Sequence, residues 1–216
     1  MQTTIEEILA VPVDERDEAW ELSLVRLLPK ASARVLSPEP TQGPDHMPYL
    51  MVAAGDGQPS DDTMMNVLGW LSTRGIGLVL NPQKPIPDYV MSYGMVWNFR
   101  ERGEILTQNG RMPTGSFEIA AGQEVLTGPP SESYLPKYAR SLIKQFLMDQ
   151  GMLAPKILMA SFDKGENYDL CFSVESLKSP PVEEHNAIAE ALAWFLPAHY
   201  SVSLVTEKVL PGFQPL

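Results

Sequence analysis

This sequence predicts an α/β (α+β) protein with mixed sheets and flanking helices, and three patterns lead there. Two compact apolar runs, residues 49–54 and 76–80, enclose a stretch of helical periodicity. Beyond Ser133 the periodicities read helix, strand, strand, helix, strand. The whole chain is punctuated by 20 prolines and 15 glycines, many of which mark element ends.

In chain order, Thr3 or Thr4 can cap a first helix holding Ile5, Ile8 and Leu9, and Pro12 ends it. Asp14 can open a second, with Glu15, Asp17 and Glu18 in its first turn, where the helix dipole favours negative charge. Trp20, Leu24, Leu27 and Leu28 form its stripe, and Pro29 stops it. Residues 32–36 read as a short strand and 37–48 as a proline-rich loop. After the strand at 49–54, Ser60 or Asp61 can cap a helix whose Met64, Val67, Leu68 and Leu71 share a face. Gly75 ends it before the strand at 76–80. That spacing suits a crossover between parallel strands or an antiparallel meander. Residues 89–93 read as a strand, 94–102 as a turn or two of helix, and 103–130 as short strands joined by turns.

Thr127-Gly128-Pro129-Pro130-Ser131 is the expected boundary, giving an N-terminal α/β domain over 1–128 and a C-terminal α+β domain over 132–216. In the second, Ser133 can cap a helix with Pro136 in its first turn, and Leu135, Tyr138, Leu142, Ile143, Phe146 and Leu147 recur at spacings of three and four. Strands at 156–162 and 168–174 flank a polar turn at 163–167. Ser179 is the expected cap of the next helix, Pro197 its end, and 200–205 the last strand. No repeat is visible in the sequence itself.

Composition narrows the function classes. With 216 residues, 44% hydrophobic and 20% charged, the chain can bury a sizeable core unaided. Cys171 is the only cysteine, so neither an internal disulfide nor a multi-thiolate zinc site is available. The opening Met1-Gln2-Thr3-Thr4-Ile5-Glu6-Glu7 reads as no secretory signal, and no apolar run is long enough to span a bilayer, so cytoplasm is the expected location. A net charge of −11 with scattered Lys and Arg argues against nucleic acid and against anionic membranes.

Several strings resemble a known family. Tyr134-Leu135-Pro136-Lys137-Tyr138-Ala139-Arg140-Ser141-Leu142 and Ala189-Glu190-Ala191-Leu192-Ala193-Trp194-Phe195-Leu196-Pro197 are similar to the C-terminal domain of the bacterial SseB family, named for enhanced serine sensitivity. Ile76-Gly77-Leu78-Val79-Leu80-Asn81-Pro82 and the opening helices resemble its N-terminal domain. The resemblance implies a bacterial cytoplasmic protein of two α/β parts. It supplies no catalytic residues, and residues 88–128 fall outside it.

Chemistry is hard to find by motif. His46, His185 and His199 lack metal-ligand spacing, and no nucleophile elbow or phosphate loop occurs. No cofactor is expected. Cys171 falls inside a strand, where a small buried structural residue is the plain reading. Asp56, Asp61 and Asp62 lie between strand and helix, where a ligand or cation could sit, or where they simply shape a turn and a helix start. Residues 88–100 are dense in aromatics and Met. There Tyr89, Tyr93, Trp97 and Arg100 are a candidate binding surface if exposed, and ordinary core if not.

The expectation is therefore a non-catalytic protein-binding or regulatory module, with a protein partner. Two alternatives stand beside it. One is a small-ligand binder or enzyme with its site near the 56–62 loop. The other is an immunity or accessory protein for a secreted toxin, since negative charge steers basic partners.

Overall fold

The computed structural model describes residues 3–55, 57, 59, 62–107, 124–162, 165 and 167–216. The chain divides into two compact units, Met1–Gln108 and Asn109–Leu216.

The first unit opens with α1 (Ile5–Leu9), started by a reciprocal cap. The Thr4 hydroxyl accepts from the Glu7 N–H at 3.3 Å, and the Glu7 carboxylate accepts from the Thr4 N–H at 3.0 Å. Asp17, not Asp14, caps α2 (Glu18–Leu27), accepting from the Trp20 N–H at 2.8 Å. Asp14 instead sits in a separate 3-10 turn, Val13–Glu15. There follow β1 (Ser32–Val35), β2 (Thr41–Gln42), β3 (Pro48–Ala53), β4 (Asp62–Thr63), α3 (Met64–Leu71), β5 (Gly77–Leu80), β6 (Tyr89–Met91) and α4 (Tyr93–Arg102).

The sheet runs β4-β1-β3-β5-β6, with β2 also on β3. β3 and β5 are parallel, from Tyr49 opposite Gly77 to Val52 opposite Leu80, and α3 carries the chain between them. The crossover is thus the right reading of this segment and the meander is not. Thr63 caps α3, its hydroxyl accepting from the Asn66 N–H at 3.3 Å; Ser60 and Asp61 lie outside the described residues. Ser92 caps α4, which fills the expected 94–102, starts one residue earlier at Tyr93, and is ended by Gly103 at φ 73°. The core joins Leu24 and Leu28 to Leu50, Val52, Leu68, Leu71, Leu78 and Leu80. Each such burial contributes about 1.5–3 kcal/mol before entropy. Gly77 is dictated by space: a Cβ there would lie 2.5 Å from the Met91 carbonyl oxygen and 2.7 Å from the Tyr49 ring.

The second unit contains β7 (Leu126–Gly128), α5 (Lys137–Asp149), β8 (Lys156–Ser161), β9 (Asp169–Ser173), α6 (His185–Ala193), β10 (Ser201–Val205) and β11 (Gln214–Pro215). Its sheet runs β10-β9-β8-β11, and β7 also pairs with β8. β7 lies against Met159–Ser161 and β11 against Lys156 and Ile157, so two short strands share one edge of β8. Because Leu126 to Gly128 pair with β8, the expected boundary at 127–131 is an edge strand closed by two prolines and belongs inside this unit. Both helix starts come later than the serines suggested. Pro136 and Pro181 are extended, with ψ of 152° and 151°, so α5 begins at Lys137, and α6 begins at His185 after a 3-10 turn. Ser133 and Ser179 therefore do not cap these helices. β9 departs from simple alternation: Cys171 and Ser173 are buried as fully as Leu170 and Phe172. The turn at 163–167 is described only at Gly165 and Asn167.

The two units repeat one topology that the sequence hides. In each, a helix leads into a strand, which pairs antiparallel with the next. That strand then pairs parallel, through a helix, with a third. The first unit does this with α2-β1-β3-α3-β5 and the second with α5-β8-β9-α6-β10.

Candidate functional site

The aromatic segment of α4 is interior. Tyr93 and Trp97 are 0% and 1% exposed, so the surface expected there is not presented. They stand one turn apart on the same helix face, and that face is turned inward. The Tyr93 hydroxyl donates to the Ser72 carbonyl at 2.5 Å, and burial pushes its pKa upward. The Tyr89 hydroxyl donates to Glu21 at 2.5 Å, and its ring lies 6.3 Å from that of Trp20. Arg100 is partly exposed, donating to the Ser72 hydroxyl at 3.3 Å, with Glu101 at 3.5 Å.

The polar cluster at the carboxyl ends of β3 and β5 is also committed to structure. Asn81, held at φ 53°, donates to the Ala54 carbonyl at 3.0 Å and to Asp88 at 2.6 Å, while accepting from the Ala54 N–H at 2.9 Å. Arg16 donates to the Val11 carbonyl at 3.0 Å, to the Asp88 carbonyl at 3.1 Å and to the Asp88 carboxylate at 2.8 Å. Lys84 reaches the other carboxylate oxygen at 2.6 Å. Burial alone would raise the Asp88 carboxyl, but bonds from Lys84, Asn81 and Arg16 outweigh it and hold the pKa below the usual range. Here acceptors and donors satisfy one another as in a structural latch, and Arg16, Lys84 and Asp88 also line a cleft of about 280 Å³ with Val13, Pro85 and Ile86.

Nucleophilic and metal chemistry gains no geometry. Cys171 is fully buried, and burial, with Asp169 adding, pushes its thiol up to about 12, far from the thiolate that reacts. His185 faces the Pro180 carbonyl at 3.1 Å, and His199 packs edge-on against Tyr200 at 4.7 Å. Among the described residues no group of three His, Cys, Asp or Glu side chains is arranged to hold a metal ion.

One concave feature combines exposure with an apolar floor. Between β1 and α3 lies a cleft of about 280 Å³, lined by Val35, Pro38, Leu50, Asp62, Asn66, Val67 and Trp70. Leu50 and Val67 are buried and form its floor, while Trp70, 44% exposed, stands at the rim. Asn66, Val67 and Trp70 project together because they are spaced by three and four along α3. The Asp62 carboxylate accepts from the Thr63 N–H at 2.8 Å and from the Asn66 side-chain amide at 2.7 Å. The guanidinium of Arg74 lies 4.0 Å from the centre of the Trp70 ring and also donates to the Trp70 carbonyl. Of the three loop carboxylates read from the sequence, only Asp62 is placed here; Asp56 and Asp61 lie outside the described residues.

Trp70 is the residue that sequence reading passed over. It lies off the buried stripe of Met64, Val67, Leu68 and Leu71. A tryptophan off the apolar face of an amphipathic helix was the available signal. Comparison with protein-family models, with curated proteins and with solved structures finds no match to this chain.

Proposed function

We propose that this chain is a non-catalytic protein-binding module whose partner docks in the cleft between β1 and α3. The observation that carries this is Trp70, an exposed tryptophan at the rim of an apolar-floored cleft. Buried apolar centres with polar rims are the anatomy of interfaces, and Trp is among the residues enriched at their hot spots. The resemblance to the SseB family is in keeping with a binding role in the bacterial cytoplasm, and a single buried cysteine suits a reducing compartment.

A small-ligand reading keeps one specific support, the position of Asp62 beside this same cleft. Its activity would appear as a thermal shift with a metabolite in the absence of any protein partner.

The test is capture with the full chain, followed by reconstitution with the purified partner and hydrogen-exchange footprinting. Protection should fall on residues 32–36 and 62–71, and Trp70→Ala should weaken binding by about 2 kcal/mol or more. Protection elsewhere with Trp70→Ala binding normally would sink the reading. Trp97→Ala is no substitute control, because removing a buried tryptophan costs about 3–5 kcal/mol of stability.

A further inference from the structure

We propose that the cleft beside the loop leaving β5 is a separate small-molecule site, and that it takes a monocarboxylate with a branched aliphatic body. Val13, Arg16, Lys84, Pro85, Ile86 and Asp88 line it, in a volume of about 280 Å³. Residues 81–88 follow β5 at the carboxyl end of its parallel pairing with β3. Open α/β sheets commonly take ligands just beyond the carboxyl ends of their strands. The loop is already fixed, the Lys84 N–H donating to the Asn81 carbonyl at 3.2 Å and the Asp88 N–H to the Leu80 carbonyl at 2.9 Å. A ligand there meets preformed walls and bears little of the cost of ordering them.

Charge selects the head of that ligand. Among the lining residues two cations share one carboxylate. Arg16 and Asp88 have side chains 10% and 1% exposed, pair at 2.8 Å and neutralise one another. Lys84 is then a second positive charge on a carboxylate already matched. Its side chain is 42% exposed, and its contact with Asp88 at 2.6 Å occupies one of three ammonium donors. Among the described residues no other acceptor takes the remaining two. The nearby carboxylates of Asp14 and Glu15 are exposed and do not line the cleft. An incoming carboxylate can therefore accept charge-assisted bonds from Lys84 without displacing Asp88 from Arg16.

The walls select the body. Val13 and Ile86 are 46% and 58% exposed, and Pro85 stands between Lys84 and Ile86. A bare inorganic anion would leave this apolar surface wet, and a neutral hydrocarbon would leave the ammonium donors unused. A carboxylate on a short branched chain uses both.

The test titrates 4-methylpentanoate, its uncharged isostere 4-methylpentanamide, and acetate into the full-length isotope-labelled chain. The backbone N–H resonances of Val13, Arg16, Lys84 and Ile86 should shift with 4-methylpentanoate. It should bind about tenfold more tightly than either the amide or acetate at low salt. Lys84→Met keeps the aliphatic stem and the Arg16–Asp88 pair, and should bring acid and amide within about twofold. Lys84→Arg, which restores the charge, should restore the preference. An amide bound as tightly as the acid by the unaltered chain would overturn the charged head, and acetate bound as tightly would overturn the aliphatic body. No shift at these residues with 4-methylpentanoate would remove the site altogether. None of these results touches the docking reading, which rests on the other cleft, between β1 and α3.

Discussion

The two units share a topology but secure the carboxyl ends of their parallel strands in opposite ways. In the first, Asn81 bridges from β5 to the end of β3, and a buried carboxylate, Asp88, locks it there with Arg16 and Lys84. In the second, Glu207 takes the corresponding place, accepting from the Ser173 hydroxyl at 2.7 Å and pairing with Lys156 at 3.0 Å. The Asp88 side chain is 1% exposed and that of Glu207 32%. The same element order therefore tolerates either a buried latch or a wet one, and the energetic weight of each follows from its access to water.

The loops before the crossover helices differ in a parallel way. Both need a left-handed backbone. The first unit supplies Gly55 and Gly57, at φ 65° and 68°, whereas the second uses Lys178 and Ser179, at φ 66° and 50°. Left-handed conformation costs an ordinary residue about 1–2 kcal/mol, so this loop of the second unit carries strain that the matching loop of the first avoids.

The largest expected effect is Asp88→Ala. It leaves the Arg16 guanidinium buried without its counter-charge, and should destabilise the first unit by about 3–5 kcal/mol in urea unfolding. A loss below about 1 kcal/mol would break the buried-latch side of the comparison. Acid gives a second measure. The folded pKa of Asp88 lies below its ordinary 3.8, so the unfolded chain binds the proton first. The stabilisation is then complete above that value and is lost as pH falls through the lower, folded pKa. Asp88→Asn should accordingly flatten the acid limb of the stability curve below about pH 4.

Next comes Glu207→Gln. Bonds from Ser173 and then Lys156 hold the Glu207 carboxyl below its usual range, yet its exposure leaves the pair screened. The second unit should lose only a small fraction of what Asp88→Ala removes from the first, and less still in 1 M salt. An effect as large as that of Asp88→Ala, read in the same denaturation experiment, would erase the contrast. The smallest change expected is a gain. Lys178→Gly relieves left-handed strain but adds freedom to the unfolded chain, for a net stabilisation of about 0.5 kcal/mol. A destabilised variant would show that the Lys178 side chain contributes more than its backbone costs.

Legibility followed the strength of the periodic signals. The order α-β-β-α-β was readable from Ser133 on because α5 carries a strong stripe, of which Ile143 and Leu147 are buried and Tyr138, Leu142 and Phe146 half-buried, while the small Ala139, outside that stripe, is buried as well. The same order was readable in the first unit too, as helix, strand at 32–36, strand at 49–54, helix and strand at 76–80, but the proline-rich passage between β1 and β3, in which β2 is only two residues, kept it from being matched to the second. β7 and β11 are too short for a period-two pattern to declare itself. The binding surface misled for a different reason. Apolar residues ring α4 with no clean stripe, so composition could mark Tyr93 and Trp97 as unusual but not say which way they face. The cleft was half visible: Asp62 was singled out for its charge, while Trp70, Val35 and Pro38 come beside it only when β1 is set next to α3.

The shared edge of β8 bears on how this protein behaves in concentrated solution. β7 covers its far half and β11 its near half, and the Leu216 N–H completes the row by donating to the Pro155 carbonyl at 3.0 Å. Neither strand exceeds three residues, so each is held weakly. Loosening either would bare a line of amide donors and carbonyl acceptors on a strand whose Ile157, Leu158 and Ala160 are fully apolar. Such an edge pairs readily with a neighbouring chain. Trimming the last few residues should therefore make the protein prone to aggregate before it makes it prone to unfold.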